Sequence, residues 1–353
     1  MGSQLSIDGH MSPTTKVNAI YTAIQERDLQ TLKELSRTDN GLLYDRLRRA
    51  AWPLLLHTDH GSYLDEKADD KQILDGVQIA KDIERSLYYY PQGMSAPFKE
   101  HKQKELRDLI MEVLWRNPKL NYYQGFHDIC ACFLLVLGKK DAIPAAENVA
   151  LFFLRYAMLE TFDPISKLLN LMNALLDMAD PQLRAFLDRC NILPYYALSW
   201  ILTWFSHDLE DYHKVIRLFD LFIASAPSMP LYVACAITCL RRKEIMAMDP
   251  DFVHTAVTNI PPDIDIEATI RQALVLEKKY PILSVQKHSG QWVHEHSAAN
   301  TFESDWAALQ YDQEPNHVRV EQYLGKGIPK EEWEDEVLKE IMQRRRSSTT
   351  SKT

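Results

Sequence analysis

Leu106-Arg107-Asp108-Leu109-Ile110-Met111-Glu112-Val113-Leu114-Trp115-Arg116-Asn117-Pro118 is the stretch on which the fold turns. Its apolar positions Leu106, Leu109, Ile110, Val113 and Leu114 recur at i, i+3, i+4, i+7 and i+8, the spacing that lines one face of an α-helix. Ser95 and Pro97 mark its start, and Asn117-Pro118 its stop. The same period runs through most of the chain, and alternating strand patterns are nearly absent. Three pairs, Asp163-Pro164, Asp180-Pro181 and Asp249-Pro250, each read as a helix start. Asp caps the free amides of a first turn, and proline there sacrifices no needed donor. The fold class is therefore all-α, with a dozen or more helices expected.

Glycine is scarce: 11 of 353 residues, less than half the ~7% usual in soluble proteins. None lies between Gly138 and Gly290, and neither G-x-G-x-x-G nor G-x-x-x-x-G-K-[ST] occurs. A chain so short of phosphate-cradling loops is not expected to hold a nucleotide itself; any nucleotide it acts on should belong to a partner. The net charge of −9 argues against a broad nucleic-acid footprint. Cys130, Cys132, Cys190, Cys235 and Cys239 are odd in number, mostly set in apolar runs, and follow no secretory signal, so they read as reduced core thiols. The longest uncharged run, Leu221 to Leu240, is long enough to span a bilayer. Pro227 and Pro230 break it, and two buried helices joined by a Pro-Ser-Met-Pro turn account for it better.

Four segments are expected. Residues 1–40 form a polar tail and one amphipathic helix carrying Val17, Ile20, Tyr21 and Ile24. Residues 41–250 form the main domain, and 251–285 a helical extension. Residues 286–353 read as a polar, partly disordered tail with one amphipathic helix at Trp333, Val337, Leu338 and Ile341.

Two polar positions break the pattern. Asn121-Tyr122-Tyr123-Gln124-Gly125-Phe126 precedes the very apolar helix Phe126 to about Leu137. Unpaired amides and the positive dipole end at its start suit an approaching phosphate. Glycine removes the Cβ that would block that approach, and a glutamine amide can meet a water or a phosphate. An ordinary interhelix turn has the same composition. The second is Ile79-Ala80-Lys81-Asp82-Ile83-Glu84-Arg85, where Asp82 and Arg85, three apart, can pair on a helix. Asp45 and Arg48 repeat the spacing, and either pair alone reads as a surface ion pair.

Together, I-x-x-D-x-x-R at Ile79, Asp82 and Arg85 and, about forty residues later, Y-x-Q-G at Tyr122, Gln124 and Gly125 resemble the signature of the TBC-domain Rab GTPase-activating proteins. Leu47-Arg48-Arg49-Ala50-Ala51-Trp52-Pro53 resembles the opening of that domain. Trp204-Phe205 and Arg217-Leu218-Phe219-Asp220 resemble its later segment, where many members carry tryptophan in place of Phe219. Many also carry methionine in place of Phe126. The resemblance covers roughly residues 41–250, and Arg85-Ser86-Leu87, Pro91-Gln92-Gly93-Met94 and Tyr123-Gln124-Gly125-Phe126-His127-Asp128 resemble the member 20 branch of the family.

The resemblance implies a TBC (RabGAP) domain of two helical subdomains that accelerates GTP hydrolysis by a GTP-bound Rab partner, in ER-to-Golgi traffic. Arg85 and Gln124 would enter the Rab's active site as catalytic fingers. Asp82 would aim Arg85, Tyr122 would wedge the glutamine turn, and Ile79 and Gly125 would support the two motifs. Trp52, Arg217 and Asp220 would serve the fold. GTP and Mg would belong to the Rab, with no cofactor or metal of the chain's own and no independent turnover. A non-catalytic Rab-binding adaptor is the alternative, and a helical ligand carrier would instead require a large closed apolar pocket. The branch commonly carries a C-terminal membrane anchor, which these residues do not contain. The expectation is a cytoplasmic protein peripheral to ER or Golgi membranes, held through the Rab or through an anchor outside this sequence.

The remaining polar clusters read as structural. His57-Thr58-Asp59-His60 and His294-Glu295-His296 lack H-E-x-x-H spacing and suit surface histidines. Cys235 and Cys239 read as core. His207-Asp208 and Asp211 read as a helix end, and Arg241-Arg242-Lys243 as another.

Overall fold

The computed structural model describes residues 11–59, 76–87, 93–295, 297–306 and 320. The expected helix at Trp333 to Ile341, the first ten residues, His60, Pro91-Gln92, His296 and the terminal arginines lie outside them. Among the described residues every regular element is helical. The first lobe contains α1 (Pro13–Glu26), α2 (Leu29–Arg37), α3 (Asp45–Leu55), α4 (Gly76–Glu84), α5 (Ala96–Arg116), α6 (Phe126–Leu137) and α7 (Lys139–Phe152). The second contains α8 (Asp163–Ala179), α9 (Pro181–Arg189), α10 (Leu198–Leu202), α11 (Tyr212–Ile223), α12 (Met229–Leu240), α13 (Arg242–Met246), α14 (Pro250–Thr258), α15 (Ile266–Lys279) and α16 (Ile282–Ser289). A last helix, α17 (Ala298–Trp306), returns to pack on α7. Packing within each lobe is dense, and α11 joins them by lying against α2, α3 and α15.

The deciding stretch forms α5, which buries Leu106, Leu109, Ile110, Val113 and Leu114 as the spacing requires. It ends where the Asn117 side chain caps it, donating to the Val113 carbonyl at 2.9 Å and to Glu147 at 2.8 Å. Asp180 and Asp249 cap their helices as expected, accepting from the Leu183 and Asp251 amides. Asp163 differs: it lies inside the first turn of α8 and pairs with Lys167 at 2.6 Å. The uncharged run resolves into α11 and α12, separated by the proline turn. No described helix is long and apolar enough to cross a membrane.

Asp220 on α11 is the knot between the lobes. It is 0% exposed. It accepts from Arg48 Nη2 at 2.9 Å, Arg48 Nε at 3.1 Å, Trp52 Nε1 at 2.9 Å and the Leu42 amide at 3.0 Å. Asp45 and Arg48 do pair, but Arg48 is buried against Asp220 and is no surface ion pair. Trp52 is core: it stacks on Phe219 and meets Phe133 edge-on. Arg217 donates to the Ser36 and Thr38 carbonyls and to Glu267. Gly41 adopts φ +49°, and a Cβ there would lie 2.5 Å from Asp220 Oδ2.

The folded core continues past residue 286, where a polar tail was expected. Trp306 and Phe302 of α17 pack against Phe152 and Phe153, and buried Arg155 pairs with Asp305 at 2.9 Å. Mean hydropathy is low there because only the buried face of a short helix is apolar.

Candidate functional site

Arg85 follows the last turn of α4, whose buried face carries Ile79, Asp82 and Ile83. Asp82 is only 1% exposed, whereas the Arg85 side chain is 67% exposed. Arg85 Nη2 donates to Asp82 Oδ1 at 2.9 Å, and its Nε to the Lys81 carbonyl at 3.3 Å. The guanidinium is therefore tethered at its root while most of its surface faces solvent. Two further donors hold the carboxylate: Gln78 Nε2 at 2.9 Å and the Tyr122 hydroxyl at 3.0 Å. Gln103 of α5 ties down the end of α4, donating to the Ile83 and Glu84 carbonyls. Leu87, just beyond, is held at φ +56° by its burial. Side chains rarely adopt this backbone region unless packing imposes it.

Gln124 and Gly125 lead into α6, with Gly125 in the capping position. Gln124 is exposed. Gly125 sits at φ +122°, and a Cβ there would lie 2.8 Å from Thr203 Cγ2. Tyr123 anchors the turn from below, its hydroxyl donating to the Leu202 carbonyl at 2.7 Å. Tyr123, not Tyr122, is thus the residue wedged under the glutamine turn; Tyr122 reaches across to Asp82. Burial pushes both phenols upward in pKa, reinforced at Tyr122 by Asp82, so both remain neutral donors.

Arg85 and Gln124 line one open cleft of about 290 Å³, together with His127, Asp128, Ser206 and His207. His207, read from sequence as part of a helix end, faces this cleft and places Nδ1 3.1 Å from Asp128 Oδ2. Its segment is set by Trp204 and Phe205, both buried and both at positive φ. Asp208 and Asp211 do not end the helix before them: Asp208 accepts from Ser199 of α10, and Asp211 caps the start of α11. Gln78, Gln103, Tyr123, His127, Asp128 and His207 are among the site residues that sequence reading missed.

His57 packs edge-on to Trp306, Cys235 and Cys239 lie 4.0 Å apart within α12, and no three potential ligands converge on a metal position among the described residues.

Gly125→Ala is expected to lower stability by about 1–3 kcal/mol, from the positive φ together with the clash. Thr203→Ser, which deletes the offending methyl but keeps the hydroxyl, should recover part of that loss. Urea unfolding of the single and double variants measures both contributions.

The fold and site define an all-helical, two-lobed domain that presents a tethered guanidinium and a carboxamide from one polar cleft. The Rab-GTPase-TBC domain matches residues 45–246, and the chain belongs to that family. It is 35% identical over 336 residues to TBC1 domain family member 20 of Bos taurus, covering 92% of this chain and 82% of the relative. It is 31% identical over 277 residues to the GTPase-activating protein gyp10 of Schizosaccharomyces pombe, covering 76% and 74%. The solved Ypt/Rab-GAP domain of Gyp1p shares the fold at a TM-score of 0.60 and 16% identity, over 74% of this chain and all of that one.

Proposed function

We propose that this chain is a GTPase-activating protein for a Rab GTPase and supplies Arg85 and Gln124 in trans to the GTP-bound partner. Membership of the Rab-GTPase-TBC family supports the partner class. The observation that carries the mechanism is the shared cleft: a guanidinium tethered by a buried carboxylate stands beside an exposed glutamine at a helix start. Phosphoryl transfer spreads charge over the γ-phosphate oxygens, which a planar, always-charged guanidinium can neutralise. The glutamine amide can orient the attacking water, accepting from it through oxygen while its NH₂ meets a backbone or phosphate oxygen. Nucleotide and Mg belong to the Rab, and the chain completes that active site without turnover of its own. Its place in the cell would be the cytoplasmic face of ER or Golgi membranes, reached through the Rab.

The test is phosphate release from a broad panel of GTP-loaded Rabs. At least one should be accelerated, and Gln124→Ala should lower that acceleration by about 10²-fold or more, the usual loss for one preorganised polar group aimed at a transition state. Acceleration of no Rab would overturn the proposal. Tight binding without acceleration would favour an adaptor.

A further inference from the structure

Beneath the cleft lies a buried imidazole that the two-finger mechanism does not use. His127, on the first turn of α6, is 7% exposed. Its Nδ1 lies 3.1 Å from the Tyr122 hydroxyl, and its Nε2 lies 3.3 Å from Asp128 Oδ1. The hydroxyl is also 3.0 Å from Asp82 Oδ2. Hydrogen bonds therefore link Asp82, the tether of Arg85, through Tyr122 to His127; the outer imidazole nitrogen lies near Asp128, which in turn meets His207 at the cleft.

The hydrogens in this chain can be counted. Carboxylates only accept, a phenol carries one hydrogen, and a neutral imidazole carries one N–H. Asp82 can only accept, so the phenol hydrogen goes to its carboxylate, and the 3.1 Å contact between the Tyr122 oxygen and Nδ1 then calls for an N–H on Nδ1. Burial keeps His127 neutral by lowering its pKa; His207 and Arg85 act in the same direction, and Asp128 and Asp82 oppose it. The imidazole tautomer decides whether that contact is a hydrogen bond. With the N–H on Nδ1, His127 donates to Tyr122, and the phenol hydrogen goes to Asp82. With the N–H on Nε2, His127 donates to Asp128, and Asp82 and Nδ1 compete for the phenol hydrogen. The longest separation of the three is the one to Asp128, consistent with the hydrogen being absent there.

We propose that His127, held as the Nδ1–H tautomer, is a positioning residue for Arg85: by donating to Tyr122 it commits the tyrosine hydrogen to Asp82 and so fixes the carboxylate that aims the guanidinium. The role in hydrolysis rests on the activator function proposed above; the tautomer does not.

Two measurements test it. Histidine-¹⁵N labelling of the full chain, with His127 assigned by its absence in His127→Asn, should give a protonated Nδ1 and an unprotonated Nε2. A protonated Nε2 at His127 overturns the proposal whether or not any Rab is activated. The second uses side-chain shape, since asparagine places its NH₂ near the Nδ1 position and glutamine near the Nε2 position. His127→Asn should keep kcat for stimulated hydrolysis within about twofold of wild type. His127→Gln should lose about three- to tenfold in kcat with KM little changed, the scale of one net hydrogen bond. Equal impairment of both variants, or none in His127→Gln, also overturns it. If wild type activates no Rab, the activator reading fails and the tautomer measurement still decides the chain's register.

Discussion

Arg85→Ala should lower stimulated GTP hydrolysis by about 10³- to 10⁵-fold, the usual worth of an arginine finger. The fold should survive it. The Arg85 side chain is largely exposed but its partner Asp82 is buried, so losing the pair should cost about 1–3 kcal/mol, a minor part of a total stability of about 5–15 kcal/mol. Asp82 would also keep Gln78 and Tyr122 as donors. Activity and stability are thus separable at this residue. Arg85→Lys is the sharper variant, because it keeps the charge and removes the planar fork that can hold Asp82 and meet phosphate oxygens together. It should remain close to the alanine variant. The measurement is single-turnover phosphate release from an activated Rab, paired with thermal melting of each variant. A lysine variant near wild type would show that charge alone suffices.

Asp220→Ala should have the largest effect on stability. It would leave the Arg48 guanidinium, the Trp52 N–H and the Leu42 amide without the carboxylate that all three share. Removing one partner of a buried ion pair costs about 3–5 kcal/mol, and each neutral donor stranded in the interior adds about 1–3 kcal/mol. Against a total stability of about 5–15 kcal/mol, the variant should be largely unfolded at room temperature. Circular dichroism and urea titration would register the loss. A variant that keeps native helicity and an unfolding midpoint near wild type would mean that the lobes are not joined through this carboxylate.

The contrast between these two aspartates explains how far the sequence could be read. Asp82 and Arg85 are three residues apart on one helix, so local geometry alone predicts their contact. Asp220 and Arg48 are far apart in the chain, and nothing local points from Arg48 to a second carboxylate. Reading Asp45-Arg48 as a surface pair followed the correct local rule and missed the burial that assembly imposes. A carboxylate within the apolar run Arg217-Leu218-Phe219-Asp220-Leu221-Phe222 was a visible signal that a buried cation must come from elsewhere. It could not say which one. The same limit applies to His207: a polar residue after an apolar helix looks like an ordinary exit until the Asp128 side of α6 is brought against it.

By itself the sequence determined what depends on neighbours along the chain: the helical class, the extent of α5, the capping of α9 and α14, the turn between α11 and α12, and the two motifs carrying Arg85 and Gln124. These follow from hydrophobic period, backbone preference and contacts within a turn, which act over a few residues. Only the tertiary structure decided that both motifs open onto one cleft, that Tyr122 rather than its neighbour closes on Asp82, that His127 lies between the two supports, and that α17 completes the core. Those contacts join segments tens to hundreds of residues apart. Their energies come from burial and from satisfying polar groups inside it, which arise only when the helices pack.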